Sequence, residues 1–185
     1  MYEINKQSGS EADFDKARFV IRARSDDETR PFLCVLHVER AKTGTRLVAT
    51  DGRRLHVAQI KQRIDPGEYE VVETKQSIIL RGPLPDLQFP NWKRVVPEAG
   101  EKRTVIDLST SGICKNPAKT ANFSIEYARL VKETGEVLNI KFIEDLPKAE
   151  WHVYAQNEKN RSVMLKNGAE GDEVFAVIMP LNIAA

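Results

Sequence analysis

The sequence predicts an α+β protein in which antiparallel sheets carry helices on one face. Short runs of alternating apolar and polar residues predict strands, and an Asp-Gly pair between two of these runs predicts a tight hairpin. Other stretches repeat apolar residues at helical spacing. The order of a helix and then strands occurs twice, on either side of a proline-rich segment. We therefore expect two halves of similar layout.

The composition is that of a globular protein with a sizeable core. The chain has 185 residues, of which 41% are hydrophobic and 30% are charged. Its 28 basic and 27 acidic side chains leave a net charge of +1. This balance excludes the strongly basic surface of a protein that wraps nucleic acid tightly, although a smaller basic face stays open.

The N-terminus and the cysteines predict a cytoplasmic protein without a membrane partner. No apolar run approaches the ~20 residues of a transmembrane helix. The first residues, "MYEINKQSGS", lack the basic and apolar regions of a signal peptide. Cys34 and Cys114 are far apart in sequence, and Cys34 falls in an apolar run as a small buried residue.

The first predicted helix runs from Ser10 to about Arg24. Ser10 and Asp13 form a start that resembles a capping box. The helix is also basic, because Lys16, Arg18 and Arg22 lie along it and the two arginines share a face. This pattern has two interpretations, a solvated face or a cationic helix that faces phosphates non-specifically.

The strands of the first half follow in quick succession. The Asp51-Gly52 turn joins two of them. Their predicted bounds are 32–38, 45–50, 54–60, 68–73 and 77–81.

The second half follows a connector rich in proline, which denies hydrogen bonds to a strand ladder and holds the chain extended. A helix is predicted at 124–135, with Ser124 as its N-cap and Gly135 as its end. Strands are predicted at 104–109, 137–143, 151–156, 161–166 and 173–181.

Catalytic and metal-binding patterns are missing from the sequence. The histidines His37, His56 and His152 are scattered, and no spacing of Cys and His resembles a zinc site. Neither a G-x-S-x-G elbow nor a glycine-rich phosphate loop occurs. We therefore expect no cofactor, no metal and no enzymatic activity.

Three short motifs remain: "LVATDGRRL" (47–55), "FPNWKRVVP" (89–97) and "VFAVIMPLNI" (174–183). Each alone can be structural, as a tight turn with solvated arginines, a rigid strap or a central strand that ends at a proline. Together they closely resemble the bacterial sliding clamp, the beta subunit of DNA polymerase III. That family has a hairpin of the form A-T-D-G-H-R-L, a junction F-P-D-Y-R-R-V-L-P and a tail V-M-P-M-R-L.

Flanking segments extend the resemblance. "TRPFLCVLHVE" resembles the strand before the hairpin in the clamp's middle domain. "FSIEYARLVKETGEVLNIKFI" is similar to the final helix and following strand of the third domain. Residues 98–122 and 144–172 match poorly. The resemblance implies a DNA-clamp-like module of two helix-plus-antiparallel-sheet halves, 1–88 and 98–185, joined by the connector 89–97 into one composite domain.

The resemblance also implies a peptide-binding pocket. In sliding clamps the three motifs line one apolar pocket that binds short linear peptides of polymerases, the clamp loader and repair proteins. Leu, Val, Met and Pro side chains would accept Leu or Phe anchors, and Arg54 and Arg94 would donate to the peptide. The implied pocket residues are Leu33, Thr50, Gly52, Arg53, Arg54, Leu55, Pro90, Arg94, Val95, Tyr127, Val177, Met179, Pro180 and Leu181.

The chain departs from the family in residues and in length. Arg53 stands where the family's hairpin has histidine, Asn182 replaces a basic residue of the tail, and Trp92 keeps an aromatic. Clamp chains have three domains and close a ring as dimers, whereas this chain is about half as long. A ring would need roughly six copies or other subunits.

Two functions remain open from the sequence. The first is a clamp-like processivity factor that binds DNA polymerase or clamp-loader peptides, meets double-stranded DNA through basic helices, and forms a homo-oligomer. The second is a stand-alone adaptor or regulator that uses the clamp fold without encircling DNA. The near-neutral charge favours the second slightly, but a clamp holds DNA topologically rather than by strong attraction.

Overall fold

The computed structural model describes residues 1–7, 10–97, 101–155 and 162–182. The chain divides into two compact units, Met1–Trp92 and Lys93–Ala185. Each unit combines antiparallel strands with helices. The predicted α+β class is therefore confirmed.

The first unit is a sheet with one long helix, α1 (Glu11–Ile21). Its strands lie in the order β1-β6-β5-β2-β3-β4, and each neighbouring pair is antiparallel. The strand bounds are β1 Tyr2–Asn5, β2 Leu36–Arg40, β3 Thr45–Thr50, β4 Arg54–Ile60, β5 Gly67–Glu73 and β6 Ser77–Arg81.

Helix α1 begins where the sequence predicts and ends earlier. The Ser10 hydroxyl accepts a hydrogen bond from the Asp13 backbone N–H at 3.3 Å, which confirms the cap. After Ile21 the chain tightens into a turn, in which the Arg24 N–H bonds the Ile21 carbonyl. The buried Asp13 carboxylate accepts from the backbone N–H of Lys61 at 3.0 Å, which holds the helix to the end of β4.

The predicted strand at 32–38 is wrong in its first part. Residues Pro31–Leu33 form a 3-10 turn, and β2 begins only at Leu36. Pro31 lacks an N–H and has a fixed φ, which suits the start of a turn better than a strand ladder. Cys34 is half-buried outside any strand, with its thiol donating to the Asp27 carbonyl at 3.3 Å. The expected buried strand cysteine is therefore corrected.

The second unit pairs a sheet in the order β10-β9-β8-β7 with two helices. Its core includes Phe123, Leu130, Trp151 and Leu165, each at most 1% exposed. The elements are β7 Glu101–Asp107, α2 Pro117–Thr134, α3 Ile140–Glu144, β8 Glu150–Ala155, β9 Val163–Asn167 and β10 Gly171–Ile178.

Helix α2 is longer than the sequence pattern predicts. Its N-cap is Asn116, whose side-chain oxygen accepts from the Ala118 N–H at 3.0 Å, and Pro117 is the first helical residue. Ser124 lies inside the helix and donates to the Thr120 carbonyl, so the cap predicted there is wrong. The end at Gly135 is confirmed, with φ of 73° and an N–H bonded to the Val131 carbonyl.

The strand predicted at 137–143 is also wrong. Asn139 caps the short helix α3 by accepting from the Lys141 N–H at 3.1 Å. Leu138 and Ile143 are both buried. The apolar residues of so short a segment fit both the helical and the strand periodicity. The side-chain cap of Asn139 decides in favour of the helix.

Candidate functional site

The hairpin between β3 and β4 has a tip that is held by its own side chains. The Thr50 hydroxyl donates to the Arg54 carbonyl at 2.6 Å and accepts from the Gly52 N–H at 3.0 Å. One carboxylate oxygen of Asp51 accepts from the N–H groups of Arg53 and Arg54, at 2.8 and 3.0 Å. Gly52 has φ of 87°, a conformation that favours glycine. The predicted Asp-Gly turn is confirmed.

The two arginines after the turn differ in their surroundings. Arg54 is largely buried, and its Nε donates to Asp51 at 3.0 Å. It also donates to the carbonyl of Arg22, which ties the hairpin to the chain just after α1. Arg53 is exposed. Arg54 is therefore already engaged within the protein, whereas Arg53 projects its charge into solvent.

Leu33 lies beside the hairpin tip. A Cβ placed on Gly52 would be 4.0 Å from Leu33 Cδ1 and 3.6 Å from Arg30 Nη1. Leu33 and Leu55 are 5% and 2% exposed, so both belong to the core more than to the surface. Arg30 was not among the residues predicted from the sequence. Its signal was its place in "TRPFL", three positions before Leu33.

The segment Phe89–Trp92, which we call the strap, is fastened to the first unit by two aromatic contacts. The ring of Phe89 stacks on His37 at a centroid distance of 4.9 Å. The indole Nε1 of Trp92 donates to Glu39 at 3.1 Å. His37 lies between Glu39 and Glu68, with its ring nitrogens 3.3 and 3.1 Å from their carboxylate oxygens. The strap therefore rests on a polar cluster at β2 and β5.

Between these two anchors the strap exposes Pro90. The guanidinium of Arg46, on strand β3 next to β2, lies 5.9 Å from the centre of the Trp92 ring. Phe89 and Trp92 are each 7% exposed, so they act as anchors. Of the predicted pocket residues in the strap, Pro90 is accessible.

In the second unit, α2 and the tail both bond one short segment. The Tyr127 hydroxyl donates to the Leu138 carbonyl at 2.6 Å, and the Leu181 N–H donates to the Val137 carbonyl at 2.8 Å. Burial raises the pKa of the Tyr127 phenol. The carbonyls of residues 137–138 thus bond both Tyr127 on α2 and Leu181, which follows β10.

The tail exposes apolar side chains as it leaves β10. Val177 is buried, whereas Met179 and Leu181 are 49% and 43% exposed and Pro180 is half-buried. Val95 is 54% exposed and follows Arg94, which is also exposed, in the 3-10 turn Trp92–Val95. The second unit therefore exposes apolar side chains at the tail and in this 3-10 turn.

The basic residues of α1, and Arg22 directly after it, are accessible in part. Arg18 and Arg22 are exposed, and Lys16 is half-buried. The Arg18 guanidinium pairs with Glu73 at 2.9 Å. Its charge is therefore partly offset, and the DNA-facing role of the three residues stays a prediction.

The buried histidine of the hairpin has a structural role. His56 Nδ1 donates to the Phe19 carbonyl at 2.8 Å, and the imidazole stacks on the Phe19 ring. Burial, and then the positive charges of Arg54 and Arg22, lower the pKa of His56 to about 3. A neutral imidazole enclosed in this way contacts no substrate.

The described residues contain neither a metal-binding cluster nor a helix that could span a membrane. No group of three or more His, Cys, Asp or Glu side chains there could hold a metal ion. No helix in the described ranges is both long and apolar enough to cross a membrane.

Comparison with known proteins identifies the fold. No family model and no curated protein matches the chain in sequence. Among solved structures, the DNA polymerase III beta subunit of Thermotoga maritima matches with a TM-score of 0.66 and 15% identity, over 99% of this chain and 65% of that chain. The Borrelia burgdorferi subunit beta matches with a TM-score of 0.62 and 12% identity, over 99% of this chain and 63% of that chain.

The DNA polymerase sliding clamp of Pseudomonas aeruginosa matches with a TM-score of 0.62 and 14% identity, over 98% of this chain and 66% of that chain. The chain has the sliding-clamp fold. It spans less than two thirds of the length of these clamp chains. The clamp fold expected from the three sequence motifs is therefore confirmed.

Proposed function

We propose that this chain is a non-enzymatic, sliding-clamp-like protein of DNA replication or repair that binds short linear peptides. The observation that carries the proposal is the hairpin tip, where Gly52 brings bare backbone beside Leu33 and Arg30 on a clamp fold. Backbone without a side chain admits a peptide to close range. The motif that resembles the clamp hairpin supplies this tip.

The first group of proposed contacts surrounds the hairpin tip and the strap. Thr50, Gly52, Arg53 and Pro90 are accessible or half-accessible there. The largely buried members, Leu33, Arg54 and Leu55, support the tip from beneath. This group offers hydrogen bonds and positive charge more than apolar area.

The second group supplies the apolar area. Met179, Leu181 and Val95 expose large apolar side chains, and Arg94 precedes Val95. The other proposed members of this group are Tyr127 and Pro180, which are half-buried, and Val177, which is buried. A buried Leu or Phe anchor contributes roughly 1.5–3 kcal/mol, so a few anchors suit micromolar affinity. The flexible Met179 side chain suits several different peptides.

The proposed partners are peptides of a DNA polymerase or of a clamp loader. The proposal extends to a cytoplasmic homo-oligomer that associates with double-stranded DNA through Lys16, Arg18 and Arg22. Solved structures of the same fold include the DNA polymerase sliding clamp of Pseudomonas aeruginosa, which supports the assignment to replication.

A titration with a fluorescein-labelled peptide that carries Leu and Phe anchors tests the proposal by fluorescence anisotropy. We expect saturable binding with a Kd on the order of micromolar. Met179→Ala combined with Leu181→Ala should weaken it about tenfold or more, because both side chains are accessible contacts. Ile125→Ala, which removes an equally exposed apolar side chain from α2, is the matched control. Equal affinity in all three proteins, or no binding, would reject the proposal.

A further inference from the structure

Arg53 is the unpaired charge of the hairpin tip. Segments 22–30 and 51–54 together carry five arginines and four carboxylates. Arg30 donates to Asp27 at 2.9 Å, and Arg54 donates to Asp51 at 3.0 Å. Within the described part of the chain, the Arg53 guanidinium forms no ion pair.

The carboxylates of Asp51 and Asp27 already accept hydrogen bonds from groups other than the Arg53 guanidinium. Asp51 accepts from two backbone N–H groups and from the Arg54 guanidinium. Asp27 accepts from Thr29 and Arg30, and these hydrogen bonds hold the pKa of its carboxyl below its ordinary value. Both carboxylates are therefore engaged with other donors, and neither pairs with the Arg53 guanidinium.

The backbone of Arg53 is held by a hydrogen bond, whereas its guanidinium forms no ion pair among the described residues. Its backbone N–H is held by Asp51 at 2.8 Å, directly after the Gly52 backbone that lies beside Arg30 and Leu33. A ligand that approaches Gly52 therefore comes within reach of a guanidinium. Such a group recognises a carboxylate in planar, two-pronged geometry.

We infer that Arg53 is a specificity-determining residue that makes the tip select peptides with an acidic side chain close to their apolar anchors. This inference rests on the proposed peptide-binding function and names the class of peptide. An exposed ion pair is a modest contribution, so the preference should be about three- to fivefold. Salt should weaken it, because screening acts on exposed charges.

The test compares peptides that share their anchors and differ by one Glu or Gln. The Glu is moved through each position between and beside the anchors, and each peptide has a Gln twin that keeps its size and polarity. The ratio of the two Kd values is measured by anisotropy at low and at high salt. We expect at least one Glu peptide to bind about three- to fivefold more tightly than its twin, with the advantage reduced at high salt.

Variants then assign the preference to one residue. Arg53→Gln should bring the ratio to about one, Arg53→Lys should keep part of it, and Arg53→Asp should invert it in favour of Gln. Arg63→Gln, at another exposed arginine of the first unit, is the matched control and should keep the full ratio. A structural role of Arg53 would change both affinities and leave their ratio alone.

Two results would overturn the inference. Equal Kd values for the Glu and Gln peptides of every pair, measured with the unaltered protein, would show that the tip does not distinguish a charged from a neutral side chain. A preference that survives in Arg53→Gln would assign it to another residue. In both cases the peptides still bind, so the peptide-binding function stands, whereas failure of every peptide to bind would reject that function and this inference together.

Discussion

The imidazole of His56 lies on the ring of Phe19, with centroids 4.3 Å apart and planes within 14°, and its Nδ1 donates to the Phe19 carbonyl at 2.8 Å. The residue on β4 thus satisfies a carbonyl of α1 that is remote in sequence. Its other ring nitrogen is buried and, among the described residues, has no hydrogen-bond partner. A proton added to this nitrogen would create a buried positive charge without a hydrogen-bond acceptor among the described residues.

Acid should therefore destabilise the protein through His56. The pKa is about 3 in the folded state against 6.5 for an unperturbed group, so the unfolded chain binds the proton first. Stability is lost as the pH falls from about 6.5 towards 3, by about 2 kcal/mol between pH 7 and pH 5 for this group. Urea unfolding at the two pH values measures the loss.

His56→Phe is the matched control for this titration. It removes the ionisable ring and leaves the Phe19 carbonyl without its donor, so its stability at pH 7 should be lower. Its loss between pH 7 and pH 5 should nevertheless be smaller than that of the unaltered protein by about 2 kcal/mol. Equal losses in both proteins would contradict the role given to His56.

Glu39 should hold the indole of Trp92 in place. Glu39→Ala removes the acceptor of the Trp92 N–H and a contact of His37. We expect a loss of about 1–3 kcal/mol in stability and greater quenching of tryptophan emission by acrylamide. Trp151 is fully buried in the second unit, so the added quenching reports Trp92. Glu70→Ala, which removes only an exposed pair with Arg81, should change neither property.

Gly52 should tolerate asparagine better than alanine. At φ of 87° a Cβ is strained although no atom lies closer than 3.6 Å, so Gly52→Ala should cost about 1 kcal/mol. Asn adopts this conformation more readily, and Gly52→Asn should cost less. Thermal unfolding of the two variants gives the order. A more stable alanine variant would mean that the turn does not need a left-handed residue.

The start of α2 can be located by two substitutions. Asn116→Ala removes the cap of two N–H groups and should cost about 1 kcal/mol. Ser124→Ala, at the position that the sequence pattern suggested, should change stability by less than about 0.5 kcal/mol, because it is an exposed interior position. Chemical unfolding followed by circular dichroism compares them. The reverse order would place the helix start at Ser124.

Assembly and DNA association follow from the proposed clamp function. Light scattering should detect an oligomer of several copies, and this oligomer should stay on nicked circular DNA and be lost when the DNA is cut. Arg18→Gln combined with Arg22→Gln should reduce loading on DNA, because both side chains are exposed cations, Arg18 on α1 and Arg22 directly after it. A monomer at every concentration would leave a stand-alone adaptor as the better description.

Local signals predicted much of the fold. The strands at 45–50, 54–60 and 77–81 have the predicted bounds, since alternation and the Asp51-Gly52 turn act within a few residues. The Asn116-Pro117 pair also signals a helix start, but it precedes the stretch with apolar spacing on which the prediction at Ser124 rests. Strand β1 was missed because a short edge strand carries little periodicity, and the pairing with β6 that forms it involves residues distant in sequence.

The sequence by itself determined the α+β class, the hairpin with its glycine tip, and the order of three motifs that resemble those of sliding clamps. Only the tertiary structure decided which motif residues are accessible. Leu55 and Arg54 are adjacent to Arg53 in sequence, yet Leu55 is buried, Arg54 is bonded to Asp51 and Arg22, and Arg53 is exposed. Burial and pairing depend on segments that meet only after folding, so a side chain's availability to a ligand cannot be read from its neighbours in the chain.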